Sequence, residues 1–315
     1  MAGQVWAVAD EGGYMYAPNL SSKLRKAVQP QVKFRQFASV KDAALQAKKK
    51  GDKFHWDIYG NVLTQGTKLT EGTAMPKTNF KIAQGTMSID EYGNSIPYTS
   101  KLDDLSEHPL TEVINGALKD DAKKVFDKAA YDQFNATVLR VIPTAGTDTS
   151  ALTLYTNGTV TGTNNVALGR EHIKTLADEL MKERDIPPYM ADDYIALGRP
   201  KAFRKLKNDL EDVNKYVDEG FRLIRNGEVG RYENFRFVEQ TNIASQAWTN
   251  GKSDQVFFFG DDTVAEGIVI PEEMRGAIPG DFGRDKGVAW YYLGGFGIVH
   301  TQPTQGRIIK WDSQA

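Results

Sequence analysis

One long stretch of helical periodicity constrains this fold more than any other feature of the sequence. Between residues 109 and 135 the apolar side chains recur every three or four positions, which predicts an amphipathic helix. These 27 residues would span roughly 40 Å at the usual helical rise. Ser106 is the expected N-cap, and Pro109 suits the first turn. We call this element the spine helix, and the rest of the chain has to be arranged around it.

The segment before the spine helix has the period of two that is typical of strands. Phe54, Trp56 and Ile58 alternate with more polar residues, and a loop rich in threonine, glycine and proline follows. Two further alternating runs flank residues 92–95, which predicts a hairpin with a Gly-Asn turn. Residues 54–102 are thus predicted to form a long ribbon. Because an isolated two-stranded ribbon is marginal in water, it should lie on another surface.

Downstream of the spine helix, short strand patterns alternate with helical patterns, so the predicted fold class is α+β. Shorter helices are predicted at 40–50, at 170–184 and from Pro200 onward. The predicted strands lie at 137–143, 152–155, 194–197, 221–225, 232–239, 255–259, 267–270, 287–301 and 307–312, with an Asn226-Gly227 turn between the fourth and the fifth.

Composition excludes several classes of protein. The chain has no cysteine, so disulfides, thiolate metal sites and a cysteine nucleophile are excluded. The net charge of -2 argues against a strongly basic nucleic-acid binder. No apolar run approaches the roughly 20 residues of a membrane span. The first basic residue is Lys23, so we expect no secretory signal peptide, which needs a basic start.

The charge is unevenly distributed along the chain. Residues 1–50 carry nine basic and three acidic residues, so the remainder is acidic. This basic arm is either a solvated segment or a contact with an acidic neighbouring subunit or a packaged polyanion. Trp6 lies in the arm, far from any predicted core, and an aromatic side chain there is costly unless it docks. Burial of Trp6 against a neighbouring subunit is therefore the favoured interpretation.

Two motifs could carry chemistry. An apolar strand that ends in Gly260-Asp261-Asp262 is how viral RNA polymerases present metal-binding aspartates, and paired carboxylates can hold Mg²⁺. The same tripeptide is good turn chemistry, which is the favoured interpretation. A glycine cluster lies in a strand-like run that no helix follows, which predicts a bulge or close strand packing rather than phosphate binding. Its members are Gly294, Gly295 and Gly297.

Histidine and lysine patterns point to no specific site. No two histidines have metal-ligand spacing, so each is interpreted as structural or exposed; they are His55, His108, His172 and His300. The helix from Pro200 is basic, and its charges are interpreted as a solvated face, with a phosphate or subunit contact as the alternative. They belong to Lys201, Arg204, Lys205 and Lys207.

The order of these elements resembles the major capsid proteins of tailed bacteriophages, whose shared fold is called the Hong Kong 97 type. Residues 229–242, VGRYENFRFVEQTN, are similar to a signature of one podophage-type coat family, the N-four type. Residues 140–147, just after the spine helix, and the closing pattern at 290–300 are similar to the same family.

The resemblance implies a Hong Kong 97-like major capsid fold with five segments. These would be an N-terminal arm at 1–50, an E-loop β-ribbon at 51–103, a P-domain with the spine helix at 104–184, an A-domain at 185–270 and closing strands of the P-domain at 271–315. It implies a coat protein, not an enzyme, with no cofactor. Pentamers and hexamers would form an icosahedral shell around double-stranded DNA, assembled in the host cytoplasm and ending in the virion.

The expected partners are other copies of the chain, with scaffolding, portal and decoration proteins, weakly held DNA on the inner face, and no membrane. The candidate inter-subunit contacts are Trp6, Phe54, Trp56, Ile58, Lys68, Lys77, Lys81 and Arg204. Two alternatives stay open. A metal-dependent nucleotidyl-transfer enzyme would use Asp261 and Asp262, and a nucleic-acid-binding protein would use the basic arm.

Overall fold

The computed structural model describes most of the chain downstream of residue 28. The described residues are 29–30, 32–42, 51–60, 66–106, 108–143, 152–160, 166–179, 183–214, 231–243, 246–248 and 251–314. Trp6, the predicted strand at 221–225 and the predicted Asn226-Gly227 turn lie outside them.

Helices and strands alternate along the described residues, which confirms the α+β class. The helices are α1 Ser100–Leu105, α2 Leu110–Asn135, α3 Arg170–Asp178 and α4 Arg204–Asn214. The strands are β1 Ser39–Asp42, β2 Lys53–Tyr59, β3 Ile82–Ser88, β4 Asp90–Thr99, β5 Leu139–Pro143, β6 Leu152–Tyr155, β7 Tyr194–Gly198, β8 Arg231–Tyr232, β9 Phe235–Glu239, β10 Gln246–Trp248, β11 Gly251–Phe259, β12 Val264–Gly276, β13 Asp285–Ile298 and β14 Ile308–Gln314. Short 3₁₀ helices lie at Arg35–Phe37 and Asp281–Gly283.

Within the described residues the strands form three sheets. A four-stranded sheet has the order β1-β12-β13-β4, and β2 pairs only with β3 as a separate ribbon. An eight-stranded sheet has the order β6-β5-β14-β11-β7-β9-β8, with β10 beside β11. The eight-stranded sheet thus takes strands from the predicted P-domain, the predicted A-domain and the predicted closing segment. The segment boundaries themselves stay a prediction.

The spine helix is confirmed as α2. Its buried side chains recur at helical spacing and cover the four-stranded sheet. Phe126 is the centre of this contact, with its ring 4.6 Å from that of Tyr292 and 5.3 Å from that of Trp290. The predicted cap is wrong, because Ser106 is the C-cap of α1 and Pro109 occupies the N-cap position of α2.

The predicted hairpin turn at 92–95 is wrong. These residues lie inside β4, which pairs with β13 from Asp90 to Thr99. A Cβ atom on Gly93 would lie 2.9 Å from the carbonyl oxygen of Trp290, so close approach of the partner strand requires this glycine. The side chain of Asn94 donates to Asp121 on α2 at 2.9 Å. The Gly93-Asn94 pair, which is typical of turns, therefore packs β4 against β13 and α2 instead.

Part of the segment that was predicted as the arm packs in the core. Phe34 is fully buried, with its ring within 5.5 Å of those of Tyr131, Phe134 and Phe257. The predicted helix at 40–50 is wrong over its described part, because β1 extends to residue 42 and pairs in parallel with β12. The segment from Phe34 onward is therefore part of the core.

The predicted strand at 232–239 is wrong in one respect, since it is interrupted by a turn. Glu233 and Asn234 both have positive φ, at 47° and 61°. Two consecutive residues in the left-handed region make the tight turn of a hairpin. The short strands β8 and β9 pair on either side of it.

Candidate functional site

The base of the β2–β3 ribbon is seated on the same subunit. The indole Nε1 of Trp56 donates to the carbonyl oxygen of Val299 at 3.2 Å. Phe54 packs against Val269 and its apolar neighbours, and Met87 on β3 is buried. The ribbon was predicted to need a surface, and at its base this surface belongs to its own subunit. Contact of Phe54, Trp56 and Ile58 with a neighbouring subunit stays a prediction, and all three are half-buried here.

The glycine cluster on β13 lets the ribbon approach, which confirms the predicted close packing. A Cβ atom on Gly295 would lie 1.9 Å from the carbonyl oxygen of Ser88, and one on Gly297 would lie 2.6 Å from Cβ of Met87. No side chain fits at such distances without backbone movement. The ribbon therefore leaves the subunit in a direction that β13 determines.

Gly85→Ala is expected to loosen the ribbon from its base. A Cβ atom on Gly85 would lie 2.1 Å from Nε1 of Trp56, so the indole must leave its hydrogen bond with Val299. Overpacking of this kind costs about 1–3 kcal/mol of unfolding free energy. Thermal unfolding followed by tryptophan fluorescence measures the loss.

Gly66→Ala is the matched control for this substitution, since a Cβ atom on Gly66 has no neighbour within 4 Å. It should leave unfolding unchanged. Equal stability of the two variants would contradict the seating of the ribbon by Trp56.

The far end of the ribbon is exposed and partly apolar. We call residues 66–81 the ribbon tip, and every one of them is exposed. Leu69, Met75 and Phe80 keep 54, 67 and 61% of their surface in solvent. Exposed apolar side chains grouped on one projecting segment mark interaction sites. The predicted contact residues Lys68, Lys77 and Lys81 lie on the same tip.

A second exposed tip lies where β12 turns into β13. We call residues 276–284 the hairpin tip. Ile278 and Phe282 are completely exposed, at 95 and 106%. Phe282 has φ 57°, and strained backbone of this kind is found at functional positions. The hydroxyl of Ser100 donates to the carbonyl oxygen of Gly283 at 2.8 Å, which ties the tip to α1.

The root of the arm is held by a network of charges. Arg35 reaches Glu266 at 2.8 Å and Glu272 at 3.1 Å, and its guanidinium lies 4.5 Å from the ring centre of Phe126. Burial alone would lower the pKa of Arg35, but its bonds with the two carboxylates outweigh burial and raise the pKa. Burial, with the charge of Glu266, raises the pKa of Tyr292. The network therefore joins the arm root to β12 and β13.

The basic helix α4 uses part of its charge inside the subunit. Lys205 pairs with Asp209 at 3.3 Å, and Lys207 pairs with Glu239. Arg204, the predicted contact residue, is exposed at the start of the helix. Its contact with a neighbour stays a prediction.

Gly260-Asp261-Asp262 forms the turn between β11 and β12, as the favoured interpretation predicted. The carboxylate of Asp262 lies 3.4 Å from Nε2 of His300 and 3.9 Å from the guanidinium of Arg307. Arg307 also donates to the carbonyl oxygen of Asp261 at 3.1 Å. The turn thus places the side chains of His300 and Arg307 beside Asp262.

Sequence reasoning missed the hairpin tip. Phe282 lies among turn-forming glycines and a proline at 279–283, where a large apolar residue is unusual. An apolar residue between turn signals that no predicted core can reach is a signal that could have identified it.

The described part of the chain contains no helix that is both long and apolar enough to cross a membrane. A family model described as phage capsid protein matches residues 83–307. A search of curated protein sequences finds no match.

Three solved phage structures are similar over almost the whole chain. The capsid of the cyanophage P-SCSP1u is 12% identical, with 99% of this chain and 97% of that chain covered and a TM-score of 0.67. The capsid of Ralstonia phage GP4 is 15% identical, with 99 and 98% covered and a TM-score of 0.67. The head protein of Helicobacter pylori bacteriophage KHP40 is 12% identical, with 98 and 97% covered and a TM-score of 0.66.

Proposed function

The chain belongs to the phage capsid protein family, and we propose that it builds its shell through the ribbon tip and the hairpin tip. It is a major capsid protein with the Hong Kong 97-type fold that the sequence predicted. The proposal adds that the ribbon tip and the hairpin tip are the two segments that contact neighbouring subunits. Each tip extends from a pair of hydrogen-bonded strands and carries exposed apolar side chains that the subunit itself does not cover.

The two tips support ring formation. A tip that docks on a different surface of the next copy makes a heterologous contact, and such contacts close into rings when the rotation permits. We propose that these rings are pentamers and hexamers of an icosahedral shell around double-stranded DNA. The DNA would touch the inner face weakly, since the chain as a whole carries a net charge of -2.

The role is structural rather than enzymatic. Its proposed partners beyond other copies are a scaffolding protein, a portal and decoration proteins, with assembly in the host cytoplasm. The nucleotidyl-transfer alternative is not favoured, because Asp262 lies beside His300 and Arg307. Those basic groups compete with a cation for its carboxylate.

The observation that carries the proposal is the complete exposure of Phe282 and Ile278 on a tethered turn. The test is light scattering with negative-stain microscopy of the purified chain over a range of concentrations. Rings, sheets or closed shells are expected as concentration rises. A chain that stays monomeric even when expressed with its flanking genes would refute the proposal.

Phe282→Asn is expected to raise the concentration at which assembly begins. Asparagine tolerates the left-handed backbone of this position, so the turn should persist while the aromatic contact is lost. Burying one such side chain is worth about 1.5–3 kcal/mol, which corresponds to roughly a 10–100-fold weaker contact. Light scattering measures the onset of assembly.

Phe282→Leu is the companion variant, because it keeps an apolar side chain at the tip. It should restore much of the assembly, and neither variant should change the unfolding temperature, since Phe282 is fully exposed in the subunit. Normal assembly of Phe282→Asn would remove the hairpin tip from the proposal.

A further inference from the structure

A buried histidine, His300, lies just after the end of β13, beside the base of the ribbon. It keeps only 7% of its surface in solvent. Its Nε2 lies 3.4 Å from the carboxylate of Asp262, in the turn between β11 and β12. Among the described residues, neither ring nitrogen has a hydrogen-bond partner. A neutral imidazole needs both a donor and an acceptor, so its burial here without either is costly.

The pair of His300 and Asp262 lies directly beside the seat of the ribbon. The backbone N–H of Val299 donates to the carbonyl oxygen of Thr263 at 2.9 Å, which joins the two neighbouring residues of the pair. The carbonyl oxygen of the same Val299 accepts the indole N–H of Trp56 at 3.2 Å. An ion pair between His300 and Asp262 therefore fixes the piece of backbone on which Trp56 is seated.

The charged groups around the ring come from four parts of the fold. His300 lines a cleft of about 700 Å³ beside β2. The charged side chains that line it with His300 are three carboxylates and two guanidiniums, namely Asp57 on β2, Arg184 and Asp185 before β7, Asp262 before β12 and Arg307 before β14. Arg184 is already neutralised by Glu179 at 3.0 Å. Carboxylates are therefore in excess around the ring, and a proton on His300 reduces that excess.

We propose that His300 is a proton-operated lock for the ribbon, in which the charged ring pairs with Asp262 and holds the seat of Trp56. Histidine is the side chain that ordinarily changes charge between pH 5 and 8. The ion pair exists only while the ring is protonated, so its contribution is present at the acidic end of this range and is lost as the pH rises. The lock concerns the subunit alone, whereas its consequence for assembly rests on the proposed role of the ribbon tip.

The test is amide hydrogen exchange of the unassembled subunit, followed by mass spectrometry at about pH 5.5 and about pH 8. Wild type is compared with His300→Gln at each pH, so that the intrinsic pH dependence of exchange cancels. At the acidic pH the amides of β2 and β3 should exchange about tenfold more slowly in the wild type, the ratio expected for one hydrogen bond to a charged group. At the basic pH the two proteins should exchange at the same rate.

Two results would overturn the proposal. One is equal exchange of the two proteins at both pH values. The other is a difference of the same size at both, because that is a packing effect of the substitution and not a response to protonation.

Two further variants assign the pH dependence to this pair. Asp262→Asn removes the charge that the lock needs and keeps the imidazole, and asparagine tolerates the φ of 52° at this position. It should behave as His300→Gln does. The matched control is His55→Gln, since His55 is an exposed histidine on the ribbon itself that bonds the hydroxyl of Thr86 at 2.9 Å. Loss of the pH dependence in this control would assign it to His55 and overturn the lock.

Wild type alone decides the question if both variants of the pair fail to fold. The ribbon amides should then lose protection relative to those of the spine helix as the pH rises, whereas a constant ratio would overturn the lock. The contacts proposed for the two tips are tested separately by light scattering. A subunit with a pH-dependent ribbon that never assembles would keep the lock and refute those contacts, and an assembling chain with a pH-independent ribbon would do the reverse.

Discussion

Replacing the three apolar side chains of the ribbon tip with serine is expected to abolish assembly and leave the subunit folded. The variant is Leu69→Ser, Met75→Ser and Phe80→Ser together. These side chains are 54, 67 and 61% exposed, so the subunit loses almost no internal packing. If all three are buried by a neighbour, the contact loses about 4 kcal/mol or more, roughly a thousandfold in affinity. Light scattering measures assembly, and circular dichroism measures the fold.

The control for the ribbon tip changes the same loop without changing its apolar character. Thr67→Ser, Thr70→Ser and Thr78→Ser together remove three methyl groups from exposed positions on the same tip. This variant should assemble as the wild type does. If the apolar variant assembles equally well, the ribbon tip makes no important contact and the joint lies elsewhere.

Asp127→Ala is expected to cause a large loss of stability in the folded subunit. Oδ1 of Asp127 accepts the backbone N–H of Phe34 at 2.6 Å, and Oδ2 accepts the side chains of Gln240 and Asn242 at 2.6 and 3.0 Å. Alanine leaves all three donors buried or half-buried without their acceptor. Each such group costs about 1–3 kcal/mol, so a loss of about 3 kcal/mol or more is expected. Urea denaturation measures it.

The dependence on pH follows from the direction of the shift at Asp127. Burial raises the pKa of this carboxyl, although the hydrogen bonds that it accepts oppose the rise. A folded-state pKa above the unfolded value means that the folded chain binds the proton more tightly. The contribution of this group to stability is then greatest below the unfolded pKa and declines as the pH rises through the folded pKa. Asp127→Ala should therefore make the free energy of unfolding depend less on pH between the unfolded-state and folded-state pKa values of this carboxyl.

The matched control on the spine helix is Asp132→Ala. Its carboxylate pairs with Lys128 at 3.2 Å on the exposed face, and such pairs are worth about 0.3–0.5 kcal/mol. A small loss for Asp132→Ala beside a large loss for Asp127→Ala is the expected pattern. Similar losses would show that Asp127 does not hold the arm root.

Local patterns predicted the parts of this fold that local physics decides. The spacing of apolar residues predicted the spine helix, and alternation or short apolar runs predicted β6 and β14. These patterns succeed because side chains on one face recur every 3.6 residues in a helix and every second residue in a strand. The need of the ribbon for a surface followed from a stability argument, since a ribbon with no core needs a surface, but the seat of its base on its own subunit was not predicted. The capsid family and its fold were predicted from a resemblance, which the order of these elements and the stretches at 140–147, 229–242 and 290–300 carry.

The remaining errors have one physical cause, which is dependence on a partner distant in the sequence. Gly93 was predicted to be a turn residue, because the sequence does not show that β13 lies beside it. Phe34 was predicted to lie in an extended arm, because the three aromatic rings that surround it belong to residues distant in the sequence. Tertiary context overrides local preference at each of these positions.

The most direct test of the central claim is a reconstruction by electron cryo-microscopy of the particle that this chain forms. The proposal predicts a closed shell in which the ribbon tip, residues 66–81, and the hairpin tip, residues 276–284, each lie against a neighbouring subunit. Leu69, Met75, Phe80 and Phe282 should then be buried at those boundaries. A shell in which both tips project into solvent, with subunits joined through other surfaces, would contradict it.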